Sequence, residues 1–137
     1  MRDDVTNGIG MRGAGVRVLV VDDEPSVREL LGRWLSEAGH AVELCQSGAE
    51  ALRRLGAAAV DVLVTDLLMP GLRGEILVQQ VRVRWPAIRL VVVTGWVPPA
   101  GTRALAAAGA VVLRKPIDGP ADLLDAVAGR TGVGAVA

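Results

Sequence analysis

Apolar residues recur along this chain in two alternating rhythms. Residues 16–21 are almost all apolar and β-branched, which reads as a buried strand. Val27, Leu30, Leu31, Trp34, Leu35 and Ala38 follow at helical spacing and form one apolar face. Pro25 suits the first turn of that helix, and Gly39 suits the position just past its end. Residues 41–44 alternate, with Val42 and Leu44 on one side of a short edge strand. Ser47 and Glu50 form a capping-box pair opening a second helix through about Leu55. Residues 60–65 read as a third strand. A third helix is predicted over Gly74–Arg84, with Leu77, Val78, Val81 and Trp85 inward and Pro86 as its stop. Residues 88–93 predict a central fourth strand, 100–108 a short Ala-rich helix opened by Pro98 and Pro99, and 110–113 a fifth strand. Pro120 opens the last helix, with Leu123, Leu124 and Val127 inward.

Five strands alternating with five helices predict an α/β domain with a parallel sheet covered on both faces. The expected division is an extension over 1–15, a domain over 16–130 and a short tail over 131–137. Gly8, Gly10 and Gly13 match the GxGxxG spacing of dinucleotide sites. They precede the first strand rather than follow it, so the match reads as chance in a Gly-rich leader.

Composition narrows the picture. The chain of 137 residues is 51% hydrophobic, enough for one core, with 15 basic and 15 acidic residues. That balance argues against a nucleic-acid partner. A lone cysteine, Cys45, excludes an internal disulfide and a cysteine zinc site. No apolar run approaches a membrane span, and the start has no signal-peptide pattern. The expectation is a cytoplasmic protein without membrane contact.

Ligands of open parallel sheets sit beyond the carboxyl ends of the strands. Here the strand ends carry Asp22-Asp23-Glu24, Thr65-Asp66, Thr94-Gly95 and Arg114-Lys115-Pro116. Carboxylates gathered in one place repel one another unless a cation offsets them. A hard divalent ion with oxygen ligands does this, and a lysine from another strand adds to it. Mg²⁺ binds through one or two carboxylates, waters and phosphate oxygens, so the set suits Mg²⁺ and a phosphoryl group together. Asp66 is the candidate nucleophile, since carboxylates form aspartyl phosphates. Lys115 would neutralise the transferring group, and Thr94 would hydrogen-bond it.

The stretches ending in Asp22-Asp23-Glu24-Pro25, then Thr65-Asp66-Leu67-Leu68-Met69-Pro70-Gly71, Thr94-Gly95 and Lys115-Pro116 together resemble the response regulator receiver family, over about 16–130. Gly74 also falls where that family commonly has glycine. The resemblance implies a flavodoxin-like (βα)5 three-layer sandwich with strand order 2-1-3-4-5. It implies Asp66 as phosphoacceptor, with Asp23, Asp66 and the Leu68 carbonyl as direct Mg²⁺ ligands and Asp22 acting through water. It implies that Thr94 moves to the phosphoryl group, that Lys115 pairs with it, and that Lys115–Pro116 is cis. Its implied partners are a sensor histidine kinase or histidine phosphotransfer protein and a downstream protein, with a homodimer open. Such a chain is a signalling phosphoacceptor and not an enzyme acting on other molecules. The chain contains no DNA-binding or enzymatic output segment, so it reads as a stand-alone receiver or a piece of a longer regulator.

Departures matter as well. The chain has no Phe or Tyr, and Val112 and Ile117 stand where the family often places aromatics. Trp96, two residues after Thr94, reads as a loop tryptophan near the site. Glu24 alone reads as a solvated acid at a helix start. Arg53, Arg54, Arg82 and Arg84 read as solvated helix faces, and His40 as a turn residue. Three alternatives stand beside the phosphoacceptor: a phosphorylation-independent interaction module, a metal-dependent phosphatase with an aspartate nucleophile, and a flavin carrier. The phosphatase reading wants two acids two residues apart on the first strand, which this chain lacks. The flavin reading wants a donor-rich loop where three acids stand.

Overall fold

β-Branched apolar runs form the strands, and apolar stripes at helical spacing form the helices that cover them. A computed structural model describes residues 15–96 and 99–131. In chain order the elements are β1 (Arg17–Val21), α1 (Pro25–Glu37), β2 (Ala41–Cys45), α2 (Gly48–Ala57), β3 (Val62–Thr65), α3 (Gly74–Arg84), β4 (Arg89–Thr94), α4 (Pro99–Ala107), β5 (Val111–Arg114) and α5 (Ala121–Val127). The five strands pair in parallel in the order β2-β1-β3-β4-β5. This is the expected order. The GxGxxG match, the tail beyond 131 and Pro98 lie outside the described residues.

Alternation along the strands sorts the core into two slabs. Leu19, Val21, Leu63, Leu90, Val92 and Val112 face Ala51, Leu55, Leu77, Val78, Val81 and Leu105 of α2, α3 and α4. Val18, Val20, Val62, Val64, Val91, Val93, Val111 and Leu113 face Leu31, Leu35, Leu123, Ala126 and Val127 of α1 and α5. Three layers result, with the strand ends free to carry chemistry.

Several expected boundaries move by a residue or two. β3 begins at Val62 rather than at residue 60, because Asp61 is otherwise engaged. Its carboxylate accepts the Arg17 amide at 2.8 Å and the Arg17 guanidinium at 3.2 Å. Those bonds hold the Asp61 carboxyl below the ordinary aspartate value. β4 and β5 each run one residue further than predicted, ending on Thr94 and Arg114. Ser47 caps α2 as predicted, accepting the Glu50 amide at 3.2 Å. The Glu50 carboxylate reaches back to the Gln46 amide at 3.1 Å, one residue before the cap.

Arg82 corrects the expectation of a solvated face. Its guanidinium donates to the carbonyls of Ala108 at 2.7 Å, Pro86 at 2.6 Å and Ile88 at 3.1 Å. These carbonyls sit in connecting segments beside the sheet, and one planar fork serves all three. Leu44 is 37% exposed on the edge strand, lying against Gly32 of α1. His40 accepts the Val16 amide on Nδ1 at 3.1 Å, and burial lowers its pKa.

Gly74 fixes how α3 leaves the site. A Cβ built there would overlap the Asp66 carbonyl oxygen and the Leu67 Cα. The Gly74 amide donates to the Leu67 carbonyl at 3.1 Å, so the backbones cannot part without losing that bond. Gly74→Ala is expected to cost about 3 kcal/mol through this overpacking, read by denaturant unfolding. An unchanged midpoint would refute the close-approach argument.

Candidate functional site

Asp22 follows the last residue of β1 and is 1% exposed. Asp66 follows β3 at 6%, and Thr94 ends β4 at 0%. Buried carboxylates require compensating partners. Lys115, one residue beyond β5, provides the charge. Its Nζ donates to Asp66 Oδ2 at 2.7 Å and to Asp22 Oδ2 at 3.0 Å. Glu24 Oε1 lies 3.5 Å from the same ammonium. Three strand ends thus meet on one nitrogen.

The remaining carboxylate oxygens are held by backbone. Asp66 Oδ1 accepts the amides of Leu67 at 2.6 Å and Leu68 at 3.2 Å. Asp22 Oδ1 accepts the Glu24 amide at 2.9 Å. Such side-chain-to-backbone turns are natural to Asp and fix its rotamer. Burial pushes the Asp22 carboxyl above the ordinary aspartate value, against the pull of the Glu24 amide and Lys115. Burial also opposes the Lys115 ammonium, but its bonds to Asp66 and Asp22 outweigh this and raise its pKa.

Thr94 is oriented by its own loop. Its hydroxyl donates to the Trp96 carbonyl at 3.1 Å and lies 3.4 Å from the Trp96 amide. Trp96 is 49% exposed in the loop beside the site, where the sequence put it. Thr94 O accepts the Lys115 amide at 2.9 Å, tying β4 to the lysine. The Lys115–Pro116 bond is cis, as expected. Val112 is 2% exposed within the slab under α3 and α4.

Lys115 therefore touches both Asp22 and Asp66, and Thr94 joins it through backbone. Asp23 is exposed beside Asp22 and makes none of these bonds. Leu68 is 56% exposed in the loop after Asp66. Among the described residues no three His, Cys, Asp or Glu side chains already converge as a metal cage. The oxygen donors of Asp22, Asp23, Asp66 and the Leu68 carbonyl still fit Mg²⁺ by type, because that ion keeps most of its waters and asks for one or two carboxylates. Two contributors escaped the sequence reading. Glu24 reaches towards Lys115 rather than standing only in solvent, and Arg28 donates to the Asp22 carbonyl at 2.8 Å. Their nearness to the acids in the chain was the available signal.

Comparison with known proteins identifies the family and the fold. The model of the response regulator receiver domain family matches residues 18–128. Response regulator MprA of Mycobacterium ulcerans is 43% identical over 79 residues, covering 58% of this chain and 34% of MprA. The DNA-binding transcriptional regulator NtrC of Escherichia coli is 39% identical over 77 residues, covering 56% of this chain and 16% of NtrC. The matches thus span about a third of those curated relatives or less. Chemotaxis response regulator CheY4 of Vibrio cholerae superposes with a TM-score of 0.76 at 30% identity, over 86% of this chain and 100% of that one. A response regulator receiver protein from Pseudomonas putida gives 0.78 at 29%, over 86% and 99%. No helix among the described residues is long and apolar enough to cross a membrane. With the family model matching residues 18–128 and the fold shared with solved receiver structures, this chain belongs to the response regulator receiver domain family.

Proposed function

We propose that this chain accepts a phosphoryl group on Asp66 from a phosphohistidine donor and uses the modified state to change its protein contacts. One observation carries the reading: a single lysine ammonium spans the carboxylates of Asp22 and Asp66 from the far strand of the sheet. In the transfer the donor's phosphorus–nitrogen bond breaks and a phosphorus–oxygen bond forms to the Asp66 carboxylate. The leaving imidazole keeps the bond's electron pair. Lys115 offsets charge on the group, and Thr94 turns its hydroxyl from Trp96 to a phosphoryl oxygen. Asp22, Asp23, Asp66 and the Leu68 carbonyl would hold Mg²⁺, which when bound supplies further neutralisation of the phosphoryl oxygens.

In this role the donor is a sensor histidine kinase or a histidine phosphotransfer protein in the cytoplasm. The receiver of the signal is a protein partner, and the chain catalyses only its own modification. Incubation with Mg²⁺ and a small-molecule phosphodonor, followed by intact-mass measurement, tests the proposal. Uptake of one phosphoryl group, blocked by a chelator, is the expected result. No uptake would select the second reading, a receiver that binds partners without phosphate. The buried Val112 favours that reading, since it stands where the family often places an aromatic.

Leu68 sets a further expectation. Its exposed side chain flanks the acceptor and cannot orient a water by hydrogen bonding. Leu68→Asn is expected to speed loss of the phosphoryl group several-fold, followed as decay of the phosphoprotein by mass. Equal or slower decay in the variant would sink the idea.

A further inference from the structure

We infer that Arg28 is a positioning residue, holding the acidic turn after β1 in the shape that receives a divalent cation. This rests on the Mg²⁺ reading above. Its ground is the way Asp22 is tied. Asp22 is 1% exposed, and every polar atom it has is engaged. Its amide donates to the Cys45 carbonyl at 3.1 Å. Its carboxylate oxygens accept from Glu24 and Lys115 at 2.9 and 3.0 Å. Its carbonyl accepts from Arg28 Nη1 at 2.8 Å.

Arg28 stands in the first turn of α1, where its own amide donates to the Glu24 carbonyl at 3.0 Å. Its side chain then reaches back across the turn to residue 22. Backbone and guanidinium together close a ring around Asp23 and Glu24. The exposed Asp23 side chain makes no hydrogen bond among the described residues, so the direction it faces depends on that ring. No other side chain donates to the Asp22 carbonyl among the described residues. A buried carbonyl without its partner would turn towards water and carry the two acids with it.

Two effects of Arg28 on a bound cation oppose each other. Its positive charge repels the ion, so removing it would tighten binding. Its hydrogen bond preorganises the ligands, so removing it would loosen binding. The sign of the change therefore separates the roles. Residues that orient metal ligands without touching the metal typically alter affinity by about 10-fold to 100-fold when lost.

The test is calorimetric titration of the whole chain with Mg²⁺ alone at fixed ionic strength, for wild type, Arg28→Ala and Arg28→Lys. Thermal melting of each metal-free protein is recorded in parallel. Arg28→Ala is expected to bind Mg²⁺ about tenfold more weakly. Arg28→Lys, which keeps a charge and a donor, should fall between. A merely structural arginine would lower the melting temperature and leave the dissociation constant of the folded protein unchanged. Binding as tight as wild type, or tighter, in Arg28→Ala overturns the inference. Should that variant fail to fold, the same criterion applies to Arg28→Lys. A wild-type chain that takes up no Mg²⁺ removes the metal reading itself, and this inference with it.

Discussion

Asp66→Asn is expected to leave the chain without a phosphoryl group under conditions that modify the wild type fully. The substitution keeps the size of the side chain and an oxygen able to accept the Leu67 and Leu68 amides. It removes the anionic oxygen that would attack phosphorus. An amide is a far weaker nucleophile than a carboxylate. Intact mass after treatment with Mg²⁺ and a small-molecule phosphodonor reads the outcome directly. Equal modification of both proteins would remove Asp66 as the acceptor. The same variant tests the ion pair. The introduced amide carries no charge to share with Lys115, so the ammonium keeps only Asp22 and the more distant Glu24.

Lys115→Met should give the largest loss of stability. The substitution leaves Asp22 and Asp66 buried with no cation between them, while their side chains are only 1% and 7% exposed. Removing one partner of a buried ion pair costs about 3–5 kcal/mol, because the remaining charge cannot return to water. Urea unfolding at neutral pH measures it. The pH dependence has a definite sign. Asp22 has a folded pKa above its ordinary 3.8, so the neutral acid is the form that burial favours. Loss of Lys115, which pulls that pKa down, raises it further in the variant, so the deficit narrows as pH falls towards the ordinary aspartate range and widens again as pH rises. In the wild type, Lys115 has a folded pKa raised above 10.5, so its ion pairs contribute fully below 10.5 and are lost as pH rises through the folded value. Combining Lys115→Met with Asp22→Asn should recover part of the deficit, because one uncompensated charge is gone. A single variant as stable as the wild type at neutral pH would contradict this account of the site.

Much of this architecture is legible one element at a time. The β-branched runs, the helical stripes, the Ser47 cap and the Gly39 stop are local signals, and each element appears where they put it. The boundaries slipped where a residue's partner lies elsewhere in the chain. Residue 60 looks like the start of a strand until Asp61 turns to hold Arg17. Arg82 looks solvated on a helical wheel, yet three loop carbonyls come to it. Glu24 looks like a solvated helix-start acid until Lys115 is folded over from the fifth strand.

By itself, the order of residues determined the alternation of strand and helix, the two-sided burial of the sheet and the polar punctuation at the strand ends. Those features depend on side-chain period and backbone preference, which neighbours in sequence decide. Tertiary structure alone decided which punctuating residues meet. Lys115 reaches Asp66 across 49 residues of chain and Asp22 across 93, because the strand order sets their ends along one edge and a long flexible side chain spans the gap. It also decided that Arg28 closes on the Asp22 carbonyl, since a guanidinium finds a buried acceptor only after the helix has been laid beside the strand.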